Sequence, residues 1–261
     1  MNLPLPHSST RKSPSHRTVG TLCGIGVGPG DPELITVKAL KRLQAAAVVA
    51  FPAGLNGQSG VAEKIISPWL TEQQIRLPLT FPYVLDPQTL ETAWQKAAEK
   101  VWPYLQSKDV VFACEGDVSF YGTFTYLAQH VQQQHPEVKV EAIAGVASPM
   151  AAAAALGIPL TCQSERLVIL PALYTLNELE TTLSRADVVV LMKVSGVYAQ
   201  VWPILARHQL LARSYVIENA TRPSQKVYAG LQNYPELALP YFSLLIVQCN
   251  PIRTAPLSGT V

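Results

Sequence analysis

The sequence predicts an α/β fold of two domains with mainly parallel sheets and an interdomain cleft. Apolar, strand-like runs alternate with helical segments along almost the whole chain, the pattern of sheets covered by helices. Runs such as VVVLM at 188–192 are apolar at every position, which is typical of strands buried on both faces. A break at 157–166 is followed by a new strand and helix series, which indicates a second domain.

The predicted elements follow one another in chain order. Strands are predicted at 21–27, 47–51, 110–114, 138–143, 166–171, 188–192, 214–217 and 244–249. Helices are predicted at 32–44, 59–67, 86–105, 123–134, 148–156, 176–184, 198–206 and 235–239. We therefore expect an N-terminal α/β domain over 18–162 and a C-terminal one over 163–251. Tails are expected at 1–17, where a Ser/Pro-rich segment predicts disorder, and at 252–261.

Composition excludes several classes of function. The chain has 261 residues, is 48% hydrophobic and carries a net charge of only +2, which argues against nucleic acid as a partner. The uncharged segment at 142–164 is broken by Gly and Pro, so no membrane span is predicted. The four cysteines are scattered and no His has ligand spacing with them. These features favour a cytoplasmic protein with reduced thiols and no metal site.

The first predicted strand ends in a glycine-rich loop, GIGVGPGDPELITVKAL at 24–40. Asp31 suits the N-cap and Pro32 the first helical position. Pro29 stands where a dinucleotide fingerprint needs its third Gly, and no Gly-Lys-Ser/Thr follows as in a P-loop. The loop therefore predicts either a ligand site of another kind or a tight turn without a ligand.

Four more loops, at 112–124, 144–160, 191–198 and 217–230, follow predicted strands. In open α/β sheets such loops form the ligand crevice. They supply Glu115, Gly116, Asp117, Phe120, Tyr121, Ser148 as a predicted N-cap, Met192, Lys193, Asn219, Ala220 and Thr221. Each loop also fits a simpler explanation, in which Asp117 orders its own turn, Met192 belongs to the core and Lys193 is solvated. Five such loops in one chain favour a site.

Together these motifs resemble the tetrapyrrole (class III) methyltransferases over residues 19–247. The resemblance rests on GVGPGDPELITVKAL, EGD followed by FY, LMKVS and LPYFSLLIV. The last two are similar to the branch that methylates the C-20 bridge carbon of precorrin-2 in cobalamin biosynthesis. The resemblance implies the tetrapyrrole methylase fold, a homodimer, and S-adenosylmethionine as methyl donor in the cleft, with S-adenosylhomocysteine as product.

Other functions remain open at this point. They are the same reaction on cobalt-factor II, methylation of a uroporphyrinogen III type of tetrapyrrole, and tetrapyrrole binding without catalysis. A nicotinamide or flavin oxidoreductase is disfavoured by the missing third Gly and the missing acidic residue after the second strand.

The resemblance also implies roles for single residues. The donor contacts are expected at Pro29, Glu115, Gly116, Asp117, Phe120, Ala147, Ser148, Met192, Ala220, Ser243 and Leu244. Asp117 and Tyr121 are candidates for proton removal, with Glu115 and water as alternatives. Val118 departs from the family, which usually has Pro there. His130 lies on a polar helix among glutamines, which indicates no role in turnover.

Basic residues are expected to bind the substrate, because a tetrapyrrole of this kind carries many carboxylates. The candidates are Lys193, Arg222 and Lys226. Lys193 follows Met192 and Arg222 follows Thr221, so both are expected to point from the donor pocket toward the substrate trough.

Overall fold

The structure is a computed structural model and describes residues 19–54, 58–82, 86–173 and 175–250. The predicted tails at 1–17 and 252–261 lie outside the described residues.

The first sheet has five parallel strands in the order β3-β2-β4-β1-β5. They are β1 (Thr21–Gly26), β2 (Val48–Pro52), β3 (Ile75–Leu79), β4 (Val110–Cys114) and β5 (Lys139–Ile143). The helices that connect them are α1 (Val37–Ala45), α2 (Val61–Ile66), α3 (Pro87–Leu105) and α4 (Phe124–Gln134). Helices α1 and α2 cover one face and α3 and α4 the other. This two-sided burial explains why β4 is apolar throughout.

The second sheet has the order β6-β7-β10-β8-β9. Its strands are β6 (Leu167–Leu170), β7 (Val188–Met192), β8 (Ser214–Glu218), β9 (Lys226–Ala229) and β10 (Ser243–Gln248). Strands β6 and β7 pair in parallel, whereas β10 is antiparallel to both of its neighbours and β9 is antiparallel to β8. Five of the eight pairings described are thus parallel, and the predicted α/β fold with mainly parallel sheets is confirmed.

Three helices cover the second sheet. Helices α6 (Leu176–Arg185) and α7 (Tyr198–Arg207) pack on one face. Helix α5 (Ser148–Ala155) places Ala152 and Ala153 against Val188 and Ile246 on the other. Helix α5 therefore leads directly from the last strand of the first sheet onto the second sheet, while the domain limits at 162 and 163 stay a prediction.

The structure corrects several predicted elements. The helix predicted at 32–44 is a short 3-10 turn, Pro32–Leu34, followed by α1, because Asp31 and Thr36 each cap a separate segment. Residues 235–239 form no helix. Ser148 is the first residue of α5 and not its cap; Ala147 holds the cap position. Further 3-10 turns lie at Ser67–Trp69, Val194–Gly196 and Leu211–Arg213.

Two edge strands were not predicted. Strand β3 contains Pro78 and an exposed Arg76, and β9 is short and mostly exposed. Edge strands tolerate Pro and charge because one side of their backbone makes no ladder bonds. Neither strand therefore shows the continuous apolar run of a central strand.

Candidate functional site

The loop after β1 and the loop after β4 are joined by their backbones. Gly28 N–H donates to the Gly116 carbonyl at 3.1 Å, and Gly116 N–H donates to the Gly28 carbonyl at 2.8 Å. Both residues have positive φ, 82° and 72°, which glycine adopts at little cost. The glycines of the two motifs thus form one bridge at the carboxyl ends of adjacent strands.

The loop after β5 approaches the same point closely. A Cβ atom on Gly145 would lie 2.4 Å from the Gly116 carbonyl oxygen, and one on Gly26 would lie 2.6 Å from Gly145 Cα. These neighbours are backbone atoms, so they cannot rotate away from an added side chain. Glycine at 26 and 145 is what lets three strand ends converge.

Asp117 binds the loops after β4 and β5 together. Its Oδ2 accepts the Gly145 N–H at 2.7 Å, and its Oδ1 accepts from Ser119 N at 2.9 Å and Ser119 Oγ at 2.5 Å. Burial alone would raise the pKa of Asp117, but the hydrogen bonds from Ser119 and Gly145 outweigh it and lower the pKa. The geometry therefore supports a carboxylate that organises loops, and its predicted role as a proton acceptor stays a prediction.

Predicted donor contacts of the second domain also converge. Met192 at the end of β7 is the register partner of Leu244 in β10. Ala220 belongs to the same apolar cluster as these two residues. Ser243 is buried and its Oγ donates to the Pro240 carbonyl at 2.7 Å. These four residues therefore build one end of the second sheet, next to the loop at 219–222.

The two domains touch through these loops. Asp31 N–H donates to Thr221 Oγ1 at 3.1 Å. Arg222 Nε donates to the Pro29 carbonyl at 3.1 Å, and its Nη2 donates to Glu115 Oε1 at 2.6 Å. The prediction that Arg222 points from the donor pocket toward the substrate trough is therefore wrong: its guanidinium lies against the donor loops, because the half-buried Glu115 carboxylate and the Pro29 carbonyl both face it. Its assignment to substrate carboxylates stays a prediction.

Glu115 has an unusual electrostatic environment. Burial raises the pKa of its carboxyl to about 7, although the nearby charge and hydrogen bond of Arg222 lower it. Perturbed carboxyl groups in a cleft are candidates for functional roles.

Backbone strain concentrates in the same loops. Tyr121, Lys193, Asn219 and Thr221 have φ of 52°, 53°, 48° and 65°. A β-branched residue such as Thr221 is rare in this region, and strain of this kind clusters at ligand sites. All five of the loops predicted from sequence thus contain a residue with positive φ, since the loop at 144–160 contains Gly157 with φ of 63°.

A cavity of about 400 Å³ opens at the ends of β4 and β5. It is lined by Asp117, Ser119, Phe120, Gly145, Val146, Ala147 and Met150. Helix α5 begins at its wall, and among the described residues no side chain caps that helix. Pro149 has no N–H, so the first-turn donors available to an anionic ligand group such as a carboxylate are those of Ser148 and Met150.

Sequence reasoning missed four lining residues, Ser119, Gly145, Val146 and Met150. The signal for Met150 was its position three residues after Ala147, since one helical turn carries both to the same side. A larger cavity, of about 620 Å³, lies between the end of β3 and helix α3 and is lined by none of the predicted site residues. We assign the site to the smaller cavity, because the strand-end loops converge there.

The remaining predicted residues, Tyr121, Lys193 and Lys226, lie in or next to the loops that follow β4, β7 and β8. Tyr121 is 59% exposed and its ring contacts Phe120 edge to face at 4.7 Å. Lys193 Nζ lies 5.7 Å from the centre of the Tyr241 ring. Lys226 begins β9 opposite Glu218, at the same end of the sheet as Ala220.

The described ranges also limit other site types. Within residues 19–54, 58–82, 86–173 and 175–250, His, Cys, Asp and Glu form no group of three that could hold a metal ion. No helix in these ranges has the length and apolar character to cross a bilayer. None of the four cysteines, all of which lie in these ranges, forms a disulfide.

Glycine loops at the carboxyl ends of the first sheet, joined by hydrogen bonds to the loop at 219–222 of the second, define a two-domain α/β protein with a strand-end cavity of the kind that holds small molecules. The sequence profile of the family described as Tetrapyrrole (Corrin/Porphyrin) Methylases matches residues 21–233. The chain belongs to this family.

Individual relatives agree with the family. The cobalt-precorrin-2 C(20)-methyltransferase of Salmonella typhimurium is 31% identical over 230 residues, 87% of this chain and 96% of that protein. The precorrin-2 C(20)-methyltransferase of a Sinorhizobium species is 31% identical over 238 residues, 88% of this chain and 95% of that protein. The cobalamin biosynthesis protein CobIJ of Mycobacterium tuberculosis is 34% identical over 250 residues, and this chain spans only 48% of its length.

The fold is also found in solved structures. The crystal structure of the cobalt precorrin-4 methyltransferase CbiF superposes with a TM-score of 0.68 at 22% identity, covering 88% of this chain and 96% of that one. This likeness confirms the tetrapyrrole methylase fold.

Proposed function

We propose that this chain transfers a methyl group from S-adenosylmethionine to the C-20 bridge carbon of precorrin-2, in cobalamin biosynthesis. The observation that supports it best is that C(20)-methyltransferases match the chain over 95% or more of their own length. The cleft supports it independently, because the loops that the resemblance assigns to the methyl donor converge there.

The pocket fits the parts of S-adenosylmethionine. The open first turn of α5, beside the cavity, suits a carboxylate of the amino-acid part. The apolar cluster of Met192, Ala220 and Leu244 suits an adenine face. When bound, S-adenosylmethionine supplies a methyl group made electrophilic by the sulfonium.

The residues of the chain then have to bind the donor and the substrate, orient them toward each other and exclude water from the pocket. Positioning of two reactants is worth about 7–11 kcal/mol, and an electron-rich bridge carbon needs no nucleophilic side chain. Asp117 and the three glycine loops hold the pocket. Asp117, Tyr121 in its phenolate form, Glu115 and water stay the candidates for proton removal, although Asp117 already accepts three hydrogen bonds.

The substrate side is proposed to use basic residues. Lys193 and Lys226 lie at the cleft end of the second sheet and are the candidates for substrate carboxylates. We also propose a cytoplasmic homodimer: four cysteines without a disulfide suit a reducing compartment. Sedimentation at micromolar concentration tests the dimer, and a monomer there would contradict it.

Binding and turnover test the proposal. Calorimetry should show micromolar binding of S-adenosylhomocysteine and none of NAD. Under anaerobic conditions, labelled S-adenosylmethionine should then methylate enzymatically made precorrin-2. Tight NAD binding without a response to S-adenosylhomocysteine would refute the assignment. Donor binding without methyl transfer to any tetrapyrrole would favour a tetrapyrrole-binding protein without catalysis.

Cobalt-loaded substrate is the second candidate. The similarity to the Salmonella enzyme, which is named for cobalt-precorrin-2, favours it as much as the Sinorhizobium relative favours the metal-free form. Parallel assays with metal-free precorrin-2 and its cobalt-loaded counterpart discriminate them by kcat/KM.

A further inference from the structure

The guanidinium of Arg222 joins the two domains at the donor loops. We propose that Arg222, Glu115 and Pro29 form a latch that sets the spacing of the donor pocket, so that Arg222 is a positioning residue for donor binding and not a ligand of substrate carboxylates. This inference rests on the proposed function for the identity of the donor.

Each contact of the latch connects a different loop. Nη2 of Arg222 donates to Glu115 after β4 at 2.6 Å, and Nε donates to the Pro29 carbonyl after β1 at 3.1 Å. The side chains of Arg222 and Glu115 are only 16% and 30% exposed. Shielded, charge-assisted hydrogen bonds of this kind are stronger than surface ion pairs.

A residue of the second domain, Phe242, contacts the guanidinium through its aromatic ring. The carbon centre of the Arg222 guanidinium lies 4.1 Å from the centre of the Phe242 ring, a cation–π distance. The Phe242 carbonyl accepts the Asn219 N–H at 2.7 Å, so ring and loop belong to one frame. A Cβ atom on Gly30 would lie 2.4 Å from Arg222 Cγ. A bare backbone at 30 is thus required for the arginine to reach its partners.

The latch residues adjoin predicted donor contacts from both domains. Glu115 precedes Gly116 and Asp117, and Arg222 follows Ala220 by two residues. If the latch opens, the loop with Ala220 loses its charge-assisted link to the loops of the first domain. An ion pair that joins the loops of the two domains in this way couples donor affinity to the contact between the domains.

Arginine is specifically suited to this role. Its planar fork directs separate N–H groups at the Glu115 carboxylate and the Pro29 carbonyl, whereas a lysine presents one point charge. Arg222→Lys should therefore recover only part of the donor affinity.

A double-mutant cycle tests the latch. Glu115→Gln, Arg222→Gln and the double variant are compared for S-adenosylhomocysteine affinity by calorimetry and for the free energy of unfolding of the donor-free protein. We expect each single variant to bind S-adenosylhomocysteine about tenfold more weakly. We expect the double variant to be no weaker than the poorer single one, because contacting residues are not additive.

Arg207→Gln is the matched control, because Arg207 pairs with Glu180 on an exposed surface. It should leave S-adenosylhomocysteine affinity unchanged. Should Arg222→Gln fail to fold, Glu115→Gln, which keeps the shape of the side chain, and Arg222→Lys carry the test.

The outcomes separate the latch from the proposed function. Wild-type-like donor affinity in Arg222→Gln, with weaker tetrapyrrole binding, would overturn the latch and restore a substrate role for Arg222. Additive effects of the two single variants would overturn it as well. A wild-type protein that binds no S-adenosylhomocysteine would refute the proposed function instead, and coupling in the unfolding free energies would still decide the latch.

Discussion

Asp117 Oδ2 accepts the N–H of Gly145 at 2.7 Å, across 28 positions of the sequence. The bond joins the loops after β4 and β5 on either side of the cavity. Asp117 thus shapes the pocket by binding the backbone of the facing loop.

Asp117→Ala should reduce turnover severely, because both loops lose their shared acceptor. Its cost in stability should be about 1.5–3 kcal/mol, the range for a hydrogen bond to a charged group. Urea unfolding and methyl transfer measure the two effects. Asp86→Ala is the matched control: Asp86 accepts from Thr89 N at 2.8 Å and Thr89 Oγ1 at 2.5 Å, so stability should fall there without loss of turnover. Near-normal turnover of a folded Asp117→Ala would contradict the site.

Gly145→Ala should separate the converging strand ends. The added methyl group meets the Gly116 carbonyl and the Gly26 backbone, and overpacking against rigid atoms costs about 1–3 kcal/mol. We expect lower stability and weaker S-adenosylhomocysteine binding in the same variant. Gly196→Ala is the comparison, since a Cβ atom there has no neighbour within 4 Å. Equal behaviour of the two variants would argue against close approach of the loops.

Stability should depend on pH through Glu115. Its pKa of about 7 exceeds the ordinary value near 4.5, so the folded protein binds this proton more tightly than the unfolded chain. The stabilisation is fully present below the unfolded pKa and is lost as pH rises through about 7. Relative to Glu115→Gln, the wild type should therefore lose stability between pH 5 and pH 7 and level off above it. Urea unfolding at four pH values measures this, and a pH-independent difference would assign Glu115 an ordinary pKa.

The thiols should differ in reactivity. Burial raises the pKa of Cys114 to about 11 and also raises that of Cys23, and the thiolate is the reactive form. Iodoacetamide at pH 8 should label the half-buried Cys162 and Cys249 first. Mass spectrometry of the native protein measures the order, and urea-unfolded protein, in which all four should react, is the control. Early labelling of Cys114 would contradict its burial.

Most of the first sheet and the loops that meet at the cavity could be predicted, because central strands and glycine loops are local patterns. Tertiary contacts could not be predicted. His130 lies among glutamines, yet α3 buries it: its ring nitrogens lie 2.8 Å from the Tyr126 carbonyl and 2.9 Å from Glu91 Oε1. Arg222 faces Glu115 from 107 residues away. No spacing rule indicates a partner at that separation, so arginine and carboxylate were assigned to different ligands.

The place of β10 in the second sheet has a consequence for how the chain folds while the ribosome synthesises it. The strand lies between β7 and β8, although it is the last of the five in chain order. During synthesis, β7 and β8 leave the ribosome with no partner between them, and the sheet closes only after residue 248 has emerged. Unpaired apolar strands are prone to associate with other chains. A ribosome that stalls before residue 243 should therefore release an aggregation-prone intermediate, whereas the first sheet has all of its strands by residue 143.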